Sequence, residues 1–86
     1  MRREAKDEVL RRLKSVEGHV RGVEKMVEDG EAGYAEIVQQ TNAIFSAIRR
    51  INTLLLKDFV EERAGQEGAS EELISDLVKA IDRVTR

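Results

Sequence analysis

Residues 36–58, EIVQQTNAIFSAIRRINTLLLKD, decide the fold of this chain. Their apolar side chains recur at helical spacing and cover more than one face of a helix. With its flanks the segment extends from 34 to 63, about 45 Å of helix at 1.5 Å per residue. The rest of an 86-residue chain cannot cover so long an apolar surface, so the sequence predicts an obligate oligomer. The central seam, spaced by four and three, consists of Ile37, Thr41, Ile44, Ile48, Ile51 and Leu55.

A second seam with the same spacing precedes this segment. Alternating steps of four and three are typical of coiled-coil packing. Gly30 follows the seam and suits the position after a helix C-terminus. We therefore predict helices at about 4–29 and 33–64, packed as an antiparallel hairpin, and two such hairpins would form a four-helix bundle dimer. The second seam consists of Val9, Leu13, Val16, Val20, Val23 and Val27.

The stretch AGQEGAS, residues 64–70, predicts a break before a third helix. Ser70 is a favourable N-cap, and Glu71 and Glu72 supply the negative charge that stabilises a first helical turn. A short amphipathic helix over about 71–84 is expected to follow. The predicted fold class is all-α, with residues 1–86 forming a single domain as a three-helix protomer.

Composition excludes several classes of protein. The chain has no cysteine, which rules out disulfides and thiolate metal sites. It has no apolar run of about 18 residues and no leader-like start, so we expect a cytoplasmic protein that does not interact with membranes. We find no nucleophile–base pair and no glycine-rich phosphate loop, so we expect no catalytic residues and no enzyme activity.

Charge is unevenly distributed, although the formal net charge is only −2. Residues 1–25 carry eight basic and five acidic side chains, whereas residues 57–76 carry two basic and seven acidic ones. On the first helix, four basic residues and one glycine recur at steps of three and four and form a row that points away from the apolar seam. This row is either a solvated face or a surface that contacts nucleic-acid phosphates. It consists of Arg11, Lys14, Gly18, Arg21 and Lys25.

The stretch RRLKSVEGHVRGVEKMVED, residues 11–29, resembles the first-helix motif of the copper-sensing operon repressor family, R-L-x-x-x-x-G-[QH]-[VL]-x-G-[IV]-x-x-M. Residues 36–58 and 70–83 resemble the second and third helices of that family. The resemblance implies a dimer formed by the first two helices and a dimer of dimers, a flat homotetramer. It also implies that operator DNA lies across the tetramer face without a helix-turn-helix. The motif is matched by Arg12, Leu13, Gly18, His19, Val20, Gly22, Val23 and Met26.

The same resemblance suggests which residues bind DNA. Arg12 belongs to the R-L pair of the motif, and Arg50 corresponds to a basic position of the second helix that the family uses for operator binding. We therefore expect Arg12 and Arg50 to carry the affinity for double-stranded operator DNA. His19 lies where the family has Gln or His, so it is interpreted as a structural polar residue. Supporting contacts are expected from Arg11, Lys14, Arg21, Lys25 and Arg49.

The chain departs from the family at the metal ligands. Where copper-sensing members have Cys, His and Cys, this sequence has Tyr34, Phe59 and Arg63. None of these is a soft donor, and Cu(I) prefers thiolate and imidazole ligands. Sensing of formaldehyde or persulfide through a cysteine also requires a thiol, which the chain lacks. We therefore expect no metal site and no cofactor.

Three roles stay open for Tyr34, Phe59 and Arg63. They could hold a small anionic or aromatic effector across a subunit boundary, with Arg63 as the anchor. Arg63 could instead replace the metal cation and pair permanently with Glu72, or the side chains could simply pack.

The predicted function is a DNA-binding transcriptional repressor with a non-metal effector or none. The alternative is a helical oligomer that does not bind DNA and acts as partner or scaffold for a paralogous metal sensor.

Overall fold

A computed structural model describes the backbone of residues 1–67 and 70–85, and the side chains of residues 1–65 and 70–83. Within these residues the chain forms helices and no strand. Helix α1 spans Arg3–Asp29, α2 spans Tyr34–Glu67 and α3 spans Glu71–Thr85. The prediction of an all-α fold with three helices is confirmed.

Local sequence signals set two of the helix ends. Gly30 follows α1 with φ 68°, a left-handed conformation that glycine adopts without steric cost, and its N–H donates a hydrogen bond to the carbonyl of Met26 over 3.2 Å. Ser70 caps α3, because its hydroxyl accepts a hydrogen bond from the N–H of Leu73 over 3.2 Å. Both capping predictions are confirmed.

The three helices lie side by side in one layer. The protomer measures 55 × 24 × 10 Å, and its thickness is about that of a single helix. Helix α2 is central: α1 packs on one side of it and α3 on the other. The radius of gyration is 16.9 Å, whereas a compact chain of this length has a radius of about 12 Å. A single layer leaves both broad faces of the protomer uncovered.

Burial within the protomer is correspondingly slight. Among the described residues, the apolar side chains that are buried are Val9, Ile51 and Ala64. Phe45 is 63% exposed and Val38 is 53% exposed, although both are large apolar residues of the central helix α2. The apolar surface of α2 is thus largely open in the isolated protomer.

Two contacts at opposite ends fix the register of α1 on α2. At one end Arg2 donates hydrogen bonds to Asp58, from Nε to Oδ1 over 2.6 Å and from its backbone N–H to Oδ2 over 3.3 Å. Arg2 also pairs with Glu61. At the other end His19 contacts Gln40. The later residue of the first helix segment, His19, pairs with the earlier residue of α2, Gln40. Helices α1 and α2 therefore form the antiparallel hairpin expected from the sequence.

Candidate nucleic-acid interface

A groove of about 530 Å³ lies on α2, bordered by a side chain of α1 and by one from the last turns of α3. Arg12 reaches it from α1, Arg49 and Arg50 reach it from α2, and Asp82 reaches it from α3. We call this surface the arginine groove. It brings together the two residues expected to carry DNA affinity, Arg12 and Arg50, although 37 positions separate them in the chain. Its lining is completed by Ser46, Thr53 and Leu54.

Regular helical geometry explains why these side chains meet. Ser46, Arg50 and Thr53 follow one another on α2 at steps of four and three, and Arg49 and Leu54 lie next to them, so all five share one side of the helix. The antiparallel register, set by Arg2 with Asp58 and by His19 with Gln40, carries Arg12 to the same level. The groove is therefore a direct consequence of the hairpin register.

The carboxylate of Glu8 partly neutralises Arg12 of the groove and its neighbour Arg11, which does not line the groove. Glu8 accepts hydrogen bonds from Nη2 of Arg11 over 2.6 Å and from Nε of Arg12 over 2.8 Å. These bonds, with the one from Arg11 as the larger cause, lower the pKa of the Glu8 carboxyl from the usual 4.5 to about 2. Glu8 therefore carries its full negative charge at neutral pH and shares it between the two guanidiniums.

The arginines contributed by α2 carry no such compensation. Across the described part of the chain, Arg49 and Arg50 form no ion pair. Three guanidiniums on one concave surface repel one another, and a bound anion relieves that repulsion. The groove is thus a positively charged surface in a protein whose formal net charge is −2.

Asp82 adds one negative charge to the edge of the groove. It belongs to α3, and its Oδ1 lies 3.0 Å from Nζ of Lys57 on α2. Lys57 itself does not line the groove. Sequence reasoning missed Asp82, because its place beside the arginines follows from how α3 packs on α2 and not from any motif.

The remaining basic residues of the predicted DNA-binding set lie outside the groove. Lys14, Arg21 and Lys25 are exposed along α1, and Arg21 approaches Glu17 at 4.0 Å. Gly18 and Gly22 lie on the same helix, where a Cβ added at either would meet no atom within 4 Å. The open space beside both glycines shows that no described part of the protomer requires their small size.

The residues at the family's metal-ligand positions are divided between the two ends of α2. Tyr34 begins the helix and is 90% exposed. Phe59 and Arg63 lie near the other end, about 37 Å and about 44 Å from Tyr34 at 1.5 Å per residue. There the guanidinium carbon of Arg63 lies 5.6 Å from the centre of the Phe59 ring, within cation–π range. Glu72 is exposed in the first turn of α3.

This chemistry does not fit a metal ion of the family's kind. A phenol, a phenyl ring and a guanidinium occupy the positions, and the guanidinium itself is a cation. Elsewhere in the described residues, no group of three or more His, Asp or Glu side chains is arranged to hold a metal.

None of the helices, over the residues described, is long and apolar enough to cross a bilayer.

His19 is half-buried between α1 and α2. Its Nε2 lies 2.7 Å from Oε1 of Gln40 and donates a hydrogen bond to that oxygen. The imidazole is thereby used in joining two helices, which agrees with the structural interpretation of this residue.

Comparison with known proteins identifies the family of this chain. Residues 5–83 match the family model described as "metal-sensitive transcriptional repressor". The chain belongs to that family.

Individual proteins that are similar to this chain are also named as transcriptional repressors. The chain is 32% identical to the copper-sensing transcriptional repressor CsoR of Bacillus subtilis over 84 residues, which cover 94% of this chain and 82% of that protein. It is 31% identical to the copper-sensing transcriptional repressor RicR of Mycobacterium tuberculosis over 86 residues, covering 94% and 88%. Against CsoR of Mycobacterium bovis BCG the identity is 31% over 75 residues, covering 84% of this chain but only 62% of the relative. No solved structure gives a significant match.

Proposed function

We propose that this protein represses transcription by binding double-stranded operator DNA through the arginine groove, and that its signal is not a soft metal ion held at the family's ligand positions. The observation that carries the proposal is the meeting of Arg12, Arg49 and Arg50 on one concave surface. Guanidinium groups bind phosphate oxygens through planar pairs of N–H donors. A groove of three arginines therefore suits the DNA backbone.

The mode of recognition follows from what the groove contains. We propose backbone contact with readout of DNA shape, because the basic side chains of the groove are spread over two helices and the described helices lie side by side in one layer. The acidic segment 57–76 then faces away from the duplex. Its negative charges would otherwise repel the phosphates.

Oligomerisation is part of the proposal. The single layer of helices and the open apolar surface of α2 support a dimer formed by two α1–α2 hairpins and a tetramer formed by two dimers. A tetramer repeats the arginine groove four times. Several grooves that each bind weakly give a high total affinity when they bind the same duplex.

The Arg63–Phe59 stack supports a non-metal signal or none. Arg63 carries a permanent positive charge. It lies at a position where the resemblance to the family implies a residue that binds a metal cation. If an effector binds there, an anion is the class that this charge selects, and Tyr34 would have to come from another protomer because it lies at the far end of α2. Pairing of Arg63 with Glu72 and simple packing are the alternatives.

A titration against duplex DNA tests the proposal. The labelled probe is the region upstream of the protein's own gene, and binding is followed by fluorescence anisotropy at increasing salt. Release of counterions predicts an affinity that falls steeply and linearly on logarithmic axes. Absence of salt-dependent binding would favour the alternative, a helical oligomer that acts as partner or scaffold of a paralogous sensor.

A further inference from the structure

A carboxylate on the edge of a DNA-binding groove calls for an explanation. Asp82 is the acidic member of the groove lining, beside Arg12, Arg49 and Arg50. A negative charge at that place repels DNA phosphates and reduces what the arginines contribute. Nothing in the family motif requires an acid at this position.

Asp82 is also held in place. Its carboxylate pairs with Lys57 at 3.0 Å, and both side chains are only partly exposed. Lys57 lies outside the groove, so the pair fixes the carboxylate at the edge without adding a positive charge to the lining. Because α3 packs on α2 alone among the described helices, this pair is one of the contacts that determines where the last turns of α3 lie.

We propose that Asp82 limits the DNA affinity of the arginine groove, with Lys57 as the positioning residue that keeps its carboxylate there. This inference rests on the proposed function of the groove. It makes α3 part of the DNA interface, as an element that lowers affinity. A displacement of α3 that removes Asp82 from the edge strengthens binding.

Exchanging the two charges tests the proposal without changing the net charge. In the variant Lys57→Asp with Asp82→Lys, the ion pair is retained but the positive charge lies in the groove. Two unit charges about 4 Å apart in water interact by an amount equal to about a fivefold change in affinity. We therefore expect the exchange to tighten binding to the upstream duplex by about fivefold or more at low salt, and less at high salt.

A matched control exchanges charges elsewhere on the same helix. Asp76 and Lys79 are exposed on α3 and do not line the groove. The variant Asp76→Lys with Lys79→Asp should bind DNA as the parent does. Equal tightening in both exchanges would overturn the proposal, because the effect would then not depend on the groove. Unchanged or weaker binding by the Lys57/Asp82 exchange would overturn it as well.

Two further variants separate the possible failures. Asp82→Asn removes the charge without introducing a new one, so it tests the same expectation if the exchange prevents α3 from folding, as judged by circular dichroism. Tightening is expected, and none would count against the proposal. Arg50→Ala reports on the groove itself. If Arg50→Ala weakens binding while neither Asp82 variant strengthens it, only the role of Asp82 fails. If Arg50→Ala also has no effect, the groove is not the DNA interface and the proposed function fails.

Discussion

The imidazole of His19 donates a hydrogen bond from Nε2 to Oε1 of Gln40 over 2.7 Å, joining α1 to α2. Together with the pairing of Arg2 and Asp58 near the other end, this bond sets the register of the hairpin. The register in turn places Arg12 in the arginine groove. The one histidine of the chain is therefore linked to the candidate DNA interface through the geometry of the fold.

Replacing His19 tests this structural role. His19→Ala leaves the Gln40 amide without its partner, so we expect the free energy of unfolding to fall by about 1 kcal/mol. His19→Gln retains an N–H donor and serves as the control, with a smaller loss. Urea unfolding followed by circular dichroism measures both. If the alanine variant is as stable as the parent, the bond contributes nothing to the hairpin.

Much of the fold could be predicted because its signals are local. The steps of four and three in the two seams specify helices, and Gly30 and Ser70 act within a single helical turn. The end of α2 was less predictable: the helix continues to Glu67, past 64, where the sequence suggested an end. Gly65 lies within it, and a glycine lowers helix stability by only about 1 kcal/mol.

The composition of the groove could be predicted only in part. Arg12 and Arg50 were expected to bind DNA because they match positions of the family, and Arg49 was expected to support them. Asp82 and the pairing of Arg2 with Asp58 were not expected. Both depend on how separate helices pack, and nothing in the sequence distinguishes these residues from the many other charged residues of the chain.

Metal binding at the family's ligand positions is expected to be absent. Tyr34, Phe59 and Arg63 provide no thiolate or imidazole, and Arg63 carries a positive charge against the Phe59 ring. Titration with Cu(I) or Ni(II), in competition with a chelator of known affinity, should show no site tighter than micromolar. A tight site that disappears in Tyr34→Ala or Phe59→Ala would contradict this prediction, whereas weak binding at His19 would not.

The open apolar surface of α2 predicts how a charge introduced into the apolar seam of α2 changes the assembly and stability of the protein. Ile48 is partly exposed in the protomer, so an aspartate there meets no crowded core within the single chain. In an oligomer it would be buried without a partner, at a cost of several kcal/mol. Ile48→Asp should therefore dissociate the assembly and, because the protomer buries so little, unfold it as well.

Analytical ultracentrifugation and circular dichroism measure both effects. Gln39→Asp, an exposed position on the opposite side of α2, is the matched control and should remain assembled. A parent protein that sediments as a stable folded monomer at micromolar concentration would contradict the oligomer prediction.

The pairing of Arg2 with Asp58 predicts a dependence of stability on pH. Asp58 is 4% exposed, and the hydrogen bond from the Arg2 side chain lowers the pKa of its carboxyl below the usual 3.8. The folded protein thus binds a proton less readily at Asp58 than the unfolded chain does. The contribution of Asp58 to the free energy of unfolding is complete above the unfolded pKa and is lost as the pH falls below 3.8 toward the lowered value.

Asp58→Asn isolates this contribution. At neutral pH the variant should be less stable than the parent by about 2 kcal/mol, because it loses charge-assisted hydrogen bonds. The difference should shrink as the pH is lowered past 3.8. Asp76→Asn, at an exposed position of α3, should show a small difference that does not vary in this way. Urea unfolding at a series of pH values measures both, and a constant difference for Asp58→Asn would count against the pairing.

The arginine groove makes the most consequential prediction. Arg12→Ala and Arg50→Ala should each weaken binding to DNA of any sequence to a similar extent, because phosphate contacts carry no base information. The slope of log affinity against log salt should become shallower by about one for each phosphate that the oligomer no longer neutralises. The helical content should not change, since Arg50 is exposed and Arg12 pairs with Glu8 on its own helix.

Arg83→Ala is the matched control for these two variants. Arg83 is an exposed arginine in the last turn of α3 and does not line the groove, so its removal changes the net charge equally but should leave the salt slope nearly unaltered. Anisotropy titrations with the upstream duplex, at several salt concentrations up to about 0.15 M, compare the three variants with the parent. If Arg12→Ala and Arg50→Ala bind as tightly as Arg83→Ala, the groove is not the surface that holds DNA. The partner or scaffold function would then be the better account of this repressor-family chain.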